Sequence, residues 1–127
     1  VRRVTVTGCE KGGLNVYSGG RGTYEEVEVS GCGMAGIMVS GMGSPQIVGS
    51  LIHHGPAEGI LVAEGGGGLF RDNKVHDNAG NGIVLAAGSE ATVIGNSVYG
   101  NDSRPIWRQE GARGTVKSNI IGEEVRP

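Results

Sequence analysis

Apolar residues recur along the chain in short pulses, each opened by a dipeptide that returns every 23 residues: Gly13-Leu14, Gly36-Ile37, Gly59-Ile60, Gly82-Ile83 and Pro105-Ile106. No insertion or deletion interrupts the spacing. Stepping by the same interval sorts the chain into columns, which is the signature of a repeat architecture. One column reads Leu14, Ile37, Ile60, Ile83, Ile106; another reads Val16, Val39, Val62, Leu85 and then Arg108. A third is Val1, Tyr24, Ile47, Phe70, Val93, Val116, and a fourth is Val6, Val29, Ile52, Val75, Val98, Ile121.

Within each repeat the apolar positions alternate with others, the period of a β-strand with one face buried. Glycine-rich stretches such as 41–44 separate the pulses and supply turns. A coil of this kind cannot bury its apolar face alone, so it must stack on its neighbours, each strand pairing in parallel with its equivalent roughly 4.8 Å along the axis. The expected fold is all-β: a single-stranded right-handed parallel β-helix of about five coils of 23 residues, with three short strands per coil. A further column, Val4, Val27, Ser50, Asn73, Asn96, Asn119, places a structural ladder of Asn73, Asn96 and Asn119 at a bend. Stacked asparagines there can hydrogen-bond one another and the backbone that leaves the sheet.

The segments GIMVSGMGSPQIVGSLIHHG, GILVAEGGGGLFRDNKVHDN and GIVLAAGSEATVIGNSVYGN resemble the right-handed β-helix repeats of carbohydrate-binding and sugar-hydrolase proteins. That group includes polysaccharide lyases, mannuronan epimerases and the copper-insertion helper of nitrous oxide reductase. The repeat rhythm is also similar to that of F-box-type substrate receptors and spindle-associated Shc-binding proteins. The resemblance spans nearly the whole chain and rests on the residues that build the coil, so it implies the fold and leaves function to the individual site.

Composition narrows the function classes. The 26 glycines lack a Gly-X-Y period, which excludes collagen. A net charge of −2 and five aromatic residues give neither a basic footprint nor a stacking platform for nucleic acid. No apolar run reaches the length of a membrane span. The whole of 1–127 reads as one β-helix domain. Residues 105–127 form the end of the solenoid, where Arg108 enters an inward column and the tail becomes charged. Val1 and Val4 already fit the columns, so further coils or a partner are expected before Val1, within a longer polypeptide.

Three groups of residues carry candidate chemistry. Ser30, His53, His76 and Tyr99 form an outward column, with His54 and Asp77 at the next turn and Glu58 just beyond. Stacked imidazoles beside a carboxylate can serve in acid–base chemistry or bind a metal, which makes His53, His76, Tyr99 and Asp77 the catalytic candidates. The polygalacturonase motifs Asn-Thr-Asp, Asp-Asp, Gly-His-Gly and Arg-Ile-Lys do not occur, nor does the Tyr-Gly-x-Asp-Pro-His segment of alginate epimerases. Of a pectate-lyase-like acidic cluster only Asp72 and Asp77 lie near each other, and the reading leans away from an enzyme. No cofactor and no metal site of the usual spacing is expected.

A second outward column, Asn15, Met38, Leu61, Val84, Trp107, is apolar where a solvated sheet should be polar. Met38, Leu61, Val84 and Trp107 are therefore the expected contact for a protein partner or a flanking segment, with Trp107 as anchor. A polysaccharide is the alternative partner. Cys9 and Cys32 occupy equivalent positions in adjacent coils. Their Cα atoms fall within disulfide reach, but parallel side chains strain the bridge, so free cysteines filling a turn are the expectation. Arg2 above Glu25 and Arg3 above Glu26 read as a solvated face.

Overall fold

The computed structural model describes residues 5–7, 13–17, 19–31 and 33–121. Among them sixteen strands follow one another without a helix. In chain order they are β1 (Thr5–Thr7), β2 (Leu14–Val16), β3 (Arg21–Glu25), β4 (Glu28–Ser30), β5 (Ile37–Val39), β6 (Ser44–Val48), β7 (Leu51–His53) and β8 (Ile60–Val62). They continue as β9 (Gly67–Arg71), β10 (Lys74–His76), β11 (Ile83–Leu85), β12 (Glu90–Ile94), β13 (Ser97–Tyr99), β14 (Ile106–Arg108), β15 (Arg113–Lys117) and β16 (Ile120–Ile121).

Every third strand shares a sheet. The first sheet runs β1-β4-β7-β10-β13-β16, the second β14-β11-β8-β5-β2 and the third β15-β12-β9-β6-β3. All pairings are parallel and in the register of the repeat, as in Ile37↔Ile60 and Val75↔Val98. The chain is thus a parallel β-solenoid with three strands per coil, as the columns predict. We number the coils from the residue that opens each repeat: coil one at Gly13, two at Gly36, three at Gly59, four at Gly82 and five at Pro105.

The four apolar columns meet at the axis. Ile37, Ile60 and Ile83, with Val39, Val62 and Leu85, are buried from the second sheet. Ile47, Phe70 and Val93 enter from the third sheet, and Val29, Ile52, Val75 and Val98 from the first. Leu14, Tyr24, Ile106 and Val116 pack against this core from its ends. The glycine that opens a coil is required by how closely the coils approach. A Cβ on Gly59 would lie 2.5 Å from Val75 Cγ1 and 2.8 Å from the Gly82 carbonyl oxygen. Pro105 takes this position before β14, an edge strand, where a missing N–H breaks no ladder. Arg108 ends its inward column by turning out: it is exposed, and its guanidinium donates to the Gly114 carbonyl at 3.1 Å.

The bend between the third and first sheets carries the polar interior. Asn73 Nδ2 donates to Asn96 Oδ1 at 3.0 Å and to the Ile47 carbonyl at 3.0 Å. Asn96 repeats this, donating to Asn119 Oδ1 at 3.0 Å and to the Phe70 carbonyl at 2.9 Å. Each side-chain oxygen also accepts the backbone N–H one coil earlier, from Asn73 to Asn96 and from Ser50 to Asn73. In coil two Ser50 holds the same place, and its hydroxyl accepts the Val27 N–H at 3.1 Å.

A second ladder, which the columns above did not single out, stands at the next bend. Asn78 Nδ2 donates to Asn101 Oδ1 at 2.9 Å, and the Gly55 N–H donates to Asn78 Oδ1 at 3.0 Å. Both ladders satisfy backbone donors that turn away from the sheets, as buried polar groups require. Val1, Val4, Arg2, Arg3, Cys9, Cys32 and the tail 122–127 lie outside the described residues, and so do the expectations placed on them.

Candidate functional site

Two outward-facing groups of side chains stand apart from the repeat, one on each of two sheets. The first is built on β4, β7, β10 and β13, whose outward positions register Ser30↔His53, His53↔His76 and His76↔Tyr99. The coil repeat sets flat rings one above another. His53 and His76 stack with centroids 5.0 Å apart and an interplanar angle of 2°, and His76 and Tyr99 stack at 4.8 Å and 8°. This stacking leaves the two imidazoles partly covered, at 17% and 15% side-chain exposure, where the column alone predicts a solvated face.

The turn after these strands brings in the remaining groups. His54 Nδ1 lies 2.6 Å from His53 Nδ1, and Asp77 Oδ2 lies 2.6 Å from His76 Nδ1. Glu28, two residues before Ser30 on the same strand face, reaches His53 Nε2 at 2.8 Å. Glu58, placed beside this cluster by the sequence, instead faces Asn81, whose Nδ2 donates to it at 3.5 Å. Strand alternation is the signal that could have found Glu28: residues two apart point the same way.

The proton order of the chain follows from its two carboxylates. An ionised carboxylate only accepts, so His53 donates from Nε2 to Glu28 and, when neutral, keeps a bare Nδ1. His54 must then donate from Nδ1, which leaves its Nε2 as the lone-pair nitrogen. His76 donates from Nδ1 to Asp77 and likewise keeps a lone pair on Nε2. The hydrogen bond from His76 is the largest influence holding the Asp77 carboxyl below its usual value of 3.8, aided by the nearby charge of His76, His54 and His53 and opposed by desolvation. His54, His76 and Asp77 each offer a metal-ligating atom, and these atoms lie within 4.8 Å of one another. Of the catalytic candidates, His53, His76, Tyr99 and Asp77 are therefore contiguous.

The second group is the apolar column on β2, β5, β8, β11 and β14, in register as Asn15↔Met38, Met38↔Leu61, Leu61↔Val84 and Val84↔Trp107. Its exposure is uneven. Met38 and Leu61 are half-buried and Trp107 is 37% exposed, but Val84, expected as part of an open stripe, is only 4% exposed. Val84 is the shortest of the four and sits between the larger Leu61 and Trp107 of the neighbouring coils, so it is covered where the column alone places it in the open. The Arg104 guanidinium lies 4.9 Å from the Trp107 ring centroid and holds that indole from one side.

A family model described as right handed beta helix region matches residues 1–124. The chain belongs to the right-handed β-helix family. The family is defined by the coil, and its description carries no substrate, so neither outward group follows from membership. A search of curated proteins finds no match.

On a β-helix, outward groups are set by columns. The third sheet bears a shallow polar groove of about 600 Å³, whose lining includes Arg21, Thr23, Gln46, Glu90 and Thr92. Thr23, Gln46, Leu69 and Thr92 stand in register along it.

Proposed function

We propose that this β-helix is a binding module that works by contact, presenting a rigid face to a protein partner within a larger assembly. The observation that carries this reading is the outward apolar column Met38-Leu61-Val84-Trp107, held in register by three parallel pairings. An apolar column on an outer sheet face gains little from solvent, and it gains about 25 cal/mol per Å² when a partner covers it. Trp107 is suited to anchor such a contact, because indoles are enriched among residues that dominate interface energetics. The stacked coils fix these side chains before binding, which lowers the ordering cost of association.

Hydroxyl-radical footprinting of Met38 and Trp107 tests the reading, comparing the native particle with the isolated chain. Strong protection of both in the particle, together with a particle mass above that of the chain, is the expected result. Equal oxidation in both, or a lone monomer, refutes it. The second reading, a glycan-binding module, is favoured by the polar groove on the third sheet with its mixed donors and acceptors. It predicts that acidic or neutral polysaccharides shift the amide resonances of Gln46 and Thr92 and leave those of Trp107 in place.

A further inference from the structure

We propose that His54, His76 and Asp77 form a binding site for a divalent first-row transition metal ion, bridging coils two and three. Their ligand atoms lie within 4.8 Å of one another on a shared turn edge. Tetrahedral coordination at bonds of about 2.0–2.1 Å needs ligand atoms roughly 3.4 Å apart. His54 and Asp77 are exposed and His76 is half-buried, so the adjustment falls on the first two, and the ion would take the place of the proton that His76 Nδ1 now shares with Asp77 Oδ2 at 2.6 Å. Two imidazoles and one carboxylate suit zinc, cobalt, nickel or copper and disfavour magnesium and calcium, which take oxygen donors.

The neighbours prepare the ligands. Glu28 accepts from His53 at 2.8 Å, and His53 in turn meets His54 at 2.6 Å, so a carboxylate–imidazole pair fixes which His54 nitrogen keeps its lone pair. A ligating histidine commonly donates its other ring N–H to a nearby acceptor, the part that His53 Nδ1 plays for His54. The turn also leaves room. His54 and Asp77, on the side away from His76, line a shallow cleft of about 300 Å³ together with Gly55, Asn78, Gly100 and Asp102. A Cβ on Gly100 would come 2.6 Å from Asp77 Oδ1, so the following coil leaves space for that carboxylate. Three protein ligands at an open rim leave a further position for water or a small anion.

The backbone brings the two turn residues together. The turn position that follows each strand of the first sheet is left-handed in coils one to four: Gly31 at φ 63°, His54 at 54°, Asp77 at 56° and Gly100 at 68°. Glycine serves that conformation at no steric cost, and the outer two of these coils use it. Coils two and three carry instead two residues with metal-ligating side chains, side by side. Asp and His are among the residues other than glycine that accept this conformation most readily, so the turn holds both and sets their side chains next to each other at its edge.

The test is zinc titration of the full chain with Cys9 and Cys32 alkylated, read by calorimetry and by native mass. Cobalt absorbance reports the ligand set. One ion per chain is expected, with a rise in the thermal midpoint because the ion ties two coils together. His54→Asn and Asp77→Asn tolerate the left-handed turn, and each should weaken binding more than tenfold while leaving the metal-free β-sheet circular dichroism intact. His76→Gln should do the same, and if it fails to fold, the two turn variants carry the test. No stoichiometric ion on the alkylated chain, or undiminished affinity in His54→Asn and Asp77→Asn, overturns the proposal.

Discussion

Replacing Asn96 by alanine removes the centre of the first asparagine ladder, and its cost follows from counting which donors are left without a partner. Asn96 is fully buried, and its side-chain oxygen accepts two bonds, from the Asn73 backbone N–H at 2.9 Å and from Asn73 Nδ2 at 3.0 Å. Its own Nδ2 donates to the Phe70 carbonyl and to Asn119 Oδ1. In Asn96→Ala, Asn119 Oδ1 keeps the Asn96 backbone N–H, and Asn73 Nδ2 keeps the Ile47 carbonyl. The Asn73 backbone N–H and one Asn73 side-chain proton lose their acceptor inside the solenoid. An orphaned buried donor costs about 1–3 kcal/mol, so the pair gives about 4 kcal/mol.

The chain itself contains the control for this estimate. At the equivalent position of coil two, Ser50 Oγ accepts the backbone N–H of Val27 at 3.1 Å. Asn96→Ser should therefore restore the acceptor for the Asn73 N–H while still losing the long amide reach, at roughly half the cost, about 2 kcal/mol. Equilibrium urea unfolding followed by circular dichroism reads both from the midpoint shift multiplied by the slope. A loss below about 1 kcal/mol in the alanine variant, or equal losses in the two variants, would refute the reasoning that the ladder stabilises by satisfying donors that leave the sheet.

Three further outcomes are open to measurement. Gly82→Ala places a Cβ 2.5 Å from the Pro105 carbonyl and 2.6 Å from Val98 Cγ1; overpacking of this kind costs about 3 kcal/mol, and an unchanged urea midpoint would show that the coils can part. Ser89 is fully buried with an unpartnered hydroxyl, so Ser89→Ala should stabilise the protein by about 1 kcal/mol, and destabilisation in the same assay would reveal a partner for that oxygen. The Asp77 carboxyl should titrate below 3.8 by NMR because His76 donates to its charged form, and should return toward that value in His76→Ala. Since its folded pKa is depressed, the contact contributes in full above 3.8 and is lost as pH falls through the lower folded midpoint; a titration midpoint at or above 3.8 would remove this contact.

The fold was legible because a solenoid writes its core into the sequence at a fixed interval. Ile37, Ile60 and Ile83 are buried for the same reason that they are spaced alike, and Asn73, Asn96 and Asn119 fall on one bend by the same rule. Other features depend on what neighbouring coils place beside a residue. Val84 lies outward by strand alternation yet is covered, because burial on an outer face depends on the bulk of Leu61 and Trp107 to either side. Glu28 belongs to the histidine cluster by a diagonal across coils, a relation that vertical columns do not display. The Asn78–Asn101 ladder was present at the same spacing, but with Gly55 as its third member it offered no run of three.

The same regularity bears on which outward residues can be read as functional. Coils repeat at about 4.8 Å, which falls within the roughly 4.5–7 Å centroid range of offset-stacked rings. The stacking of His53, His76 and Tyr99 at 5.0 and 4.8 Å is therefore what the architecture does with any planar side chains set in one column. It explains why they lie together without invoking catalysis. His54 and Asp77 differ: they stand at left-handed turns where glycine serves in the coils on either side, and His54 meets His76 edge-on at 5.8 Å and 85°. Pitch and stacking do not account for them. A left-handed turn without glycine does not by itself mark function in this solenoid, because Glu26, Asp72 and Ser118 alternate with Gly49 and Gly95 in the same way at the preceding bend; what sets the His54 and Asp77 turn apart is that His76 brings a third ligand atom within 4.8 Å of theirs.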